Sequence, residues 1–215
     1  MYLSEIWRYP VKSMAGESVE EIIVGPLGLE GDRLVHVQDA GGRVVTARTH
    51  PLLLGHQACL GSAGEPVVDG RLWTHADVLA DITQIAGPGA RLVRDERVDR
   101  FDVLPLLVAT DGAIKAFGHD RRRLRPNLFI AGVEGLAERT WPGWCLRIGE
   151  VVIRLDSLRG RCVMTTFDPD TLEQDRRVLT QIVTRFSGKL ALNAAVIRGG
   201  LVRRGDRVEL FRAER

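Results

Sequence analysis

The chain is poor in the residues that usually advertise chemistry. Its three cysteines, Cys59, Cys145 and Cys162, stand far apart. With no CxxC pair among them they form no disulfide framework and suit a reducing compartment. The five histidines, His36, His50, His56, His75 and His119, show no zinc spacing such as HExxH and read as structural or surface groups. Neither a P-loop nor a GxGxxG cradle is present, and there is no GxSxG elbow for a serine nucleophile. No apolar run approaches the ~20 residues of a membrane-spanning helix. The opening Met1-Tyr2-Leu3-Ser4-Glu5-Ile6-Trp7 lacks the basic region and apolar core of a signal peptide. The expectation is a cytoplasmic protein with no membrane partner. Lysine is scarce too: of 30 basic residues only Lys12, Lys115 and Lys189 are lysine. Net charge is only +2 and no aromatic residues interleave with the arginines, which argues against a nucleic-acid partner.

What is there fits one ordinary globular chain. The 215 residues, 45% hydrophobic and 27% charged, suffice for a sizeable core. Short β-type runs dominate: 19–24, 34–38, 44–47, 128–130, 151–155, 194–197 and 208–211, parted by Gly/Asp/Pro clusters such as Gly25-Pro26 and Gly199-Gly200. Helices are few. Apolar residues of 172–186 fall on one face with Gly188 as the stop, 111–117 has Thr110 or Asp111 to cap it and Gly118 to end it, and 75–85 runs into Gly87-Pro88-Gly89. The fold class expected is mainly β with a few helices, a barrel or sandwich. The charged stretch Arg94–Arg100 marks an internal boundary, giving segments 1–95 and 96–215 that pack as one unit, and the tail from Arg212 reads as a solvated end.

Cys162 is the most telling residue. It lies in Arg159-Gly160-Arg161-Cys162-Val163-Met164-Thr165-Thr166-Phe167-Asp168-Pro169-Asp170. Two guanidinium groups beside a thiol favour the thiolate, the nucleophilic and metal-binding form. The competing reading is a strand cysteine acting as a small hydrophobe. Asp168 and Asp170 are near in sequence, with a structural turn as their alternative role.

Three constellations accompany it. In Tyr9-Pro10-Val11-Lys12-Ser13 the ammonium and hydroxyl suit an oxyanion, against a merely solvated lysine. Gly28-Leu29-Glu30-Gly31-Asp32-Arg33 is a tight turn delivering Arg33 to the start of a strand, against a surface ion pair Asp32–Arg33. Leu124-Arg125-Pro126-Asn127-Leu128 fixes Arg125 and the Asn127 amide at a strand entry, donor and acceptor together as a heterocycle requires. The preceding Arg121-Arg122-Arg123 reads as a solvated loop.

Taken in order, these motifs resemble the MOSC domain family. Tyr9–Ser13, Gly28–Arg33 and Arg48-Thr49-His50-Pro51 are similar to the N-terminal β-barrel segment that precedes many MOSC domains. Arg125-Pro126-Asn127, Trp141-Pro142-Gly143, Arg161-Cys162 with Thr165-Thr166 and Asp168-Pro169, and Gly199–Asp206 are similar to the MOSC domain itself. The resemblance spans nearly the whole chain and implies a MOSC-type β-barrel with an N-terminal β-rich segment. It implies a molybdenum cofactor whose metal takes Cys162 as ligand, Cys162 thereby being the catalytic residue, with Lys12, Ser13, Arg33, Arg125, Asn127 and Arg161 around the pterin and its phosphate. Where relatives have a serine-rich turn this chain has Ala109-Thr110-Asp111-Gly112-Ala113-Ile114, so that contact passes to Thr110. By resemblance to amidoxime reducing components, the activity is reduction of N-hydroxylated small molecules. The 215 residues hold no ferredoxin-like domain, so electrons are expected from a separate ferredoxin- or cytochrome-type protein or a reductase. The alternative is a carrier of persulfide sulfur or of the cofactor.

Overall fold

The computed structural model describes residues 1–95 and 100–212. The N-terminal part runs β1 (Tyr2–Arg8), β2 (Glu17–Val19), β3 (Glu21–Gly25), β4 (Gly28–Leu29), β5 (Val35–Gln38), β6 (Val44–Val45), β7 (Ala58–Leu60), β8 (Pro66–Val68), β9 (Arg71–Leu72), helix α1 (Ala76–Ala86) and β10 (Arg91–Arg94). The rest runs β11 (Leu106–Thr110), α2 (Asp111–Phe117), β12 (Leu128–Ala131), β13 (Cys145–Ile148), β14 (Val151–Gly160), α3 (Arg176–Phe186), β15 (Lys189–Arg198), β16 (Gly200–Arg203) and β17 (Val208–Phe211). Strand predominates, as expected. The boundary anticipated between residues 95 and 96 and most of the tail from Arg212 lie outside the described residues.

Eight strands form the main sheet in the order β17-β13-β14-β15-β11-β12-β1-β2. It curls back on itself. The start of β1 reaches the β17 end through the Tyr2–Arg207 bridge and through bonds from Leu3 N to Asp206 O (2.9 Å) and Gly205 N to Leu3 O (2.7 Å). Val151, Ile153 and Leu155 alternate inward along β14, the period of two that a pleated strand imposes. Leu3 and Ile6 both face the same core although three apart. A bulge between Leu3 and Glu5 in the β1–β12 register absorbs Ser4, and the extra residue restores the inward parity. Residues of β1 and β3 share this core with β11 to β17, so the N-terminal segment is built into the barrel.

A second core gathers β5, β6, β10 and α1 around Val35, Val37, Val45, Ile82 and Leu92. A third joins α2 to α3 through Phe117, Val178, Ile182 and Phe186. Helix α2 is bounded as expected, Thr110 accepting from Ala113 N and Gly118 adopting φ 73° at the end. Helix α3 starts four residues later than its apolar pattern suggested. Asp175 caps it by accepting from Arg177 N, Leu172 takes a left-handed φ of 60°, and Ser187 at φ 56° ends it one residue before Gly188. The run 19–24 is two strands interrupted at Glu20, and β1, β11 and β13 complete the sheet beyond the runs read from the sequence.

Candidate functional site

Between the barrel core and the second core lies a cavity of about 880 Å3, open mouth included. Both halves of the chain build it. The β1–β2 loop supplies Lys12 and Ser13, the turn before β5 supplies Arg33, and the segment after β6 supplies Arg48. From the other half come Asp102, Arg123, Arg125, Asn127, Asn193 and the end of β14, Arg159 to Cys162. Of the residues anticipated from sequence, Lys12, Ser13, Arg33, Arg125, Asn127, Arg161 and Cys162 all line it.

Thr110 does not. It is fully buried, its hydroxyl accepts from Ala113 N (3.2 Å) as the α2 cap and donates to Glu138 Oε2 (3.3 Å). A helix start left four backbone N–H groups in need of acceptors, and that local demand took the hydroxyl. Asn127 is placed at the cavity, but its amide is already engaged: Oδ1 accepts from Leu107 N (3.1 Å), and Nδ2 donates to Trp7 O (3.2 Å) and Asp32 Oδ2 (3.3 Å). Its role is to clamp strands, with no free donor–acceptor pair for a heterocycle. Asp32, a surface charge only in the competing reading of its turn, is fully buried. It accepts from Tyr9 N (2.8 Å) and ion-pairs with Arg33.

The electrostatics are lopsided. Among the described residues seven basic side chains line the cavity and a single carboxylate, Asp102, offsets them. Asp102 meets Lys12 Nζ at 2.8 Å, Arg48 Nη2 at 2.5 Å and Arg159 Nη2 at 3.2 Å. Burial acts to raise its pKa, yet Lys12, then Arg48 and Arg159, outweigh that and hold it at about 2. Arg161 donates to Leu124 O (2.8 Å), while its Nε is buried with no partner among the described residues. Burial, with Arg159 adding repulsion, pushes its pKa down to about 10. Burial does the same to Arg125, again to about 10. Arg125 lies over the Tyr9 ring at 4.2 Å from the centroid and Arg33 at 5.2 Å, a favourable cation–π placement. Tyr9 in turn is buried, its hydroxyl donates to Pro126 O (3.2 Å), and burial raises its pKa to about 12.

Cys162 is half-buried and free of any disulfide, so it is not the buried strand cysteine of the competing reading. Its carbonyl accepts from Thr165 N (3.1 Å) and Thr165 Oγ1 (2.8 Å), which starts the 3-10 turn Val163–Thr166. Arg48, Arg159 and Arg161 sit close enough for the sulfur to act on their charges. Asp168 accepts from Asp170 N (3.0 Å), Thr171 N (3.1 Å) and Arg123 (2.8 Å), and is a turn-former. The arginine run is anchored, each member paired: Arg121 with Glu5 (2.8 Å), Arg122 with Asp120 (2.7 Å) and Asp170 (2.6 Å), Arg123 with Asp168.

Sequence reasoning missed Asp102 and Asn193 altogether and gave Arg48 and Tyr9 no role of their own. One backbone signal was invisible to it. Seven non-glycine residues have positive φ among the described residues, and three of them, Ser13 (72°), Arg33 (54°) and Arg125 (55°), line this cavity. Such conformations cost about 1–3 kcal/mol each and gather at functional sites. Arg125 is the sharpest case, since a residue preceding proline is ordinarily pushed to the extended region.

The fold and the site define a mainly β barrel protein with a cationic, cysteine-bearing cavity built from both parts of the chain. Two family models match the chain: the MOSC N-terminal beta barrel domain over residues 1–79 and the MOSC domain over residues 111–209. The chain belongs to the MOSC family. Among curated proteins it is 26% identical to human mitochondrial amidoxime reducing component 2, over 81% of this chain and 69% of that protein. It is 24% identical to human mitochondrial amidoxime-reducing component 1, over 81% and 68%. Among solved structures, the YUAD protein from Bacillus subtilis aligns with TM-score 0.56 at 12% identity, covering 99% of this chain and 96% of that one, a likeness of fold.

Proposed function

We propose that this protein binds a molybdenum cofactor in the Cys162 cavity and reduces N-hydroxylated compounds such as amidoximes, in the cytoplasm, with electrons from a separate donor protein. The observation that carries this reading is one cavity holding a half-buried free thiol among, of the described residues, seven cations and a single carboxylate, in a chain homologous to proteins named for reducing amidoximes.

The residues fit such a group. A phosphate and an anionic metal–dithiolene need several directed cations, and Arg161 Nε is a buried donor still lacking an acceptor. No cluster of three or more His, Cys, Asp or Glu suited to a metal ion occurs among the described residues. Cys162, the cysteine among the described residues that line the cavity, would be the thiolate ligand, which suits a metal that arrives already held by sulfur. Lys12, Ser13, Arg33, Arg125 and Arg161 would hold the anionic parts, and Asp102 would keep Lys12, Arg48 and Arg159 spaced around the mouth. When bound, the cofactor supplies the redox chemistry by which an N–OH group takes up electrons and protons and releases water. No helix among the described residues is long and apolar enough to cross a membrane.

The test is molybdenum per chain by elemental mass spectrometry, with pterin fluorescence, on protein from a host that makes the cofactor. Near-stoichiometric metal that Cys162→Ala removes while the fold persists, together with benzamidoxime reduction driven by a chemical reductant, is the expected result. Folded wild-type protein with neither metal nor pterin sinks the proposal. A second reading rests on the half-exposed Cys162 sulfur facing three arginines: a carrier holding persulfide sulfur. An intact mass heavier by one sulfur atom at Cys162, without metal, would favour it.

A further inference from the structure

A second cavity, about 1080 Å3 with its open mouth, lies behind the first. Arg123, Arg125 and Met164 line both and form their common wall. The two differ in chemistry. The second is faced by Trp7, Leu54, Met164, Phe167 and Pro169, all half-buried. Among the described residues Phe167 belongs to none of the apolar clusters, so its half-buried ring is packed into no core. The single polar atom of Trp7 is spent outside the cavity, donating to Glu5 Oε2 at 2.8 Å.

The charges at the rim are paired off. Arg122 is held by Asp120 and Asp170, Arg123 by Asp168 at 2.8 Å, and Glu17 by Arg8 at 2.8 Å. What remains is an aromatic, electrically balanced slot with Arg125 on the side shared with the Cys162 cavity. A slot of this kind selects a flat, uncharged ring, by burial and by offset contact with aromatic faces, whereas the cationic cavity selects anions.

We propose that this second cavity binds the uncharged aromatic body of a small molecule, its polar N-hydroxy head toward the Arg125–Met164 wall and the Cys162 cavity beyond. That it is a substrate subsite rests on the reductase reading; that it binds the ring does not. The test uses metal-free protein and calorimetric titration with benzamidoxime, and with acetamidoxime, which has the same head and no ring. Benzamidoxime should bind wild type and Cys162→Ala equally and should not be displaced by phosphate, while acetamidoxime should show no comparable affinity. Phe167→Ala should weaken benzamidoxime about three- to tenfold, the worth of one lost aromatic face. Leu54→Trp, which fills the slot, should abolish binding while thermal melts show it folded. No benzamidoxime binding, binding displaced by phosphate, or binding indifferent to both variants would overturn the site. In protein that carries molybdenum, Phe167→Ala should raise KM for benzamidoxime with kcat little changed and leave acetamidoxime alone; equal effects on both substrates would overturn the subsite role. Ring binding without molybdenum loading would defeat the reductase reading and leave the site standing.

Discussion

Asp102→Asn is the most informative change, because the structure makes it act in opposite directions on two measurements. Among the described residues Asp102 is the only carboxylate lining a cavity with seven basic side chains. Held at about 2 against an unfolded value of about 3.9, such a group contributes roughly 2–3 kcal/mol at neutral pH. Its side chain is 29% exposed, and solvent screening trims that to roughly 1–2 kcal/mol. The folded pKa is depressed, so the contribution is fully present above the unfolded pKa and is lost as pH falls toward the folded one. Urea unfolding should therefore find Asp102→Asn less stable by about 1–2 kcal/mol at pH 7, with the gap closing as pH drops from about 4 to about 2. Anion binding should move the other way. Removing the one negative charge strengthens the cavity's positive field, and sulfate should bind about tenfold tighter, on the order of 1 kcal/mol of repulsion relieved at an effective dielectric of about 20. A variant as stable as wild type at pH 7, a gap indifferent to pH, or weaker sulfate binding would refute the account of Asp102 as spacer and counter-charge.

Two further outcomes follow from groups outside the cavity. Glu138 is fully buried with Oε1 unpartnered, and desolvation raises its pKa. Glu138→Gln should gain stability over wild type, the gap opening as pH rises from the ordinary carboxyl range and levelling above the shifted pKa; melts from pH 4 to 8 that run parallel would contradict this. Thr110→Val should cost about 1 kcal/mol through the lost α2 cap and leave sulfate affinity unchanged by the same titration, as befits a residue outside the cavity.

Much of what is short-ranged about this protein was legible in the sequence. Thr110 and Gly118 bound α2 because capping is settled within a turn, Gly28 and Gly31 take positive φ at 87° and 77° as the turn before Arg33 requires, and β-type runs between turn residues located eight of the seventeen strands among the described residues. The resemblance to the MOSC family grouped Lys12, Ser13, Arg33, Arg125, Arg161 and Cys162, and all six line one cavity. What the tertiary structure alone decided is what those residues meet. Asp102 neighbours Lys12, Arg48 and Arg159 only because the barrel brings residues from both halves of the chain to one mouth. Asp32 turned from surface charge to buried anchor because Tyr9 and Asn127 close over it. Thr110 and Asn127 kept the chemistry expected of them but spent it on the fold, since a buried donor or acceptor left unpaired costs more than a site contact gains. The second cavity, walled by Trp7, Leu54 and Phe167 from three distant stretches, has no local signature at all: its apolar side chains look like core until the packing leaves them uncovered.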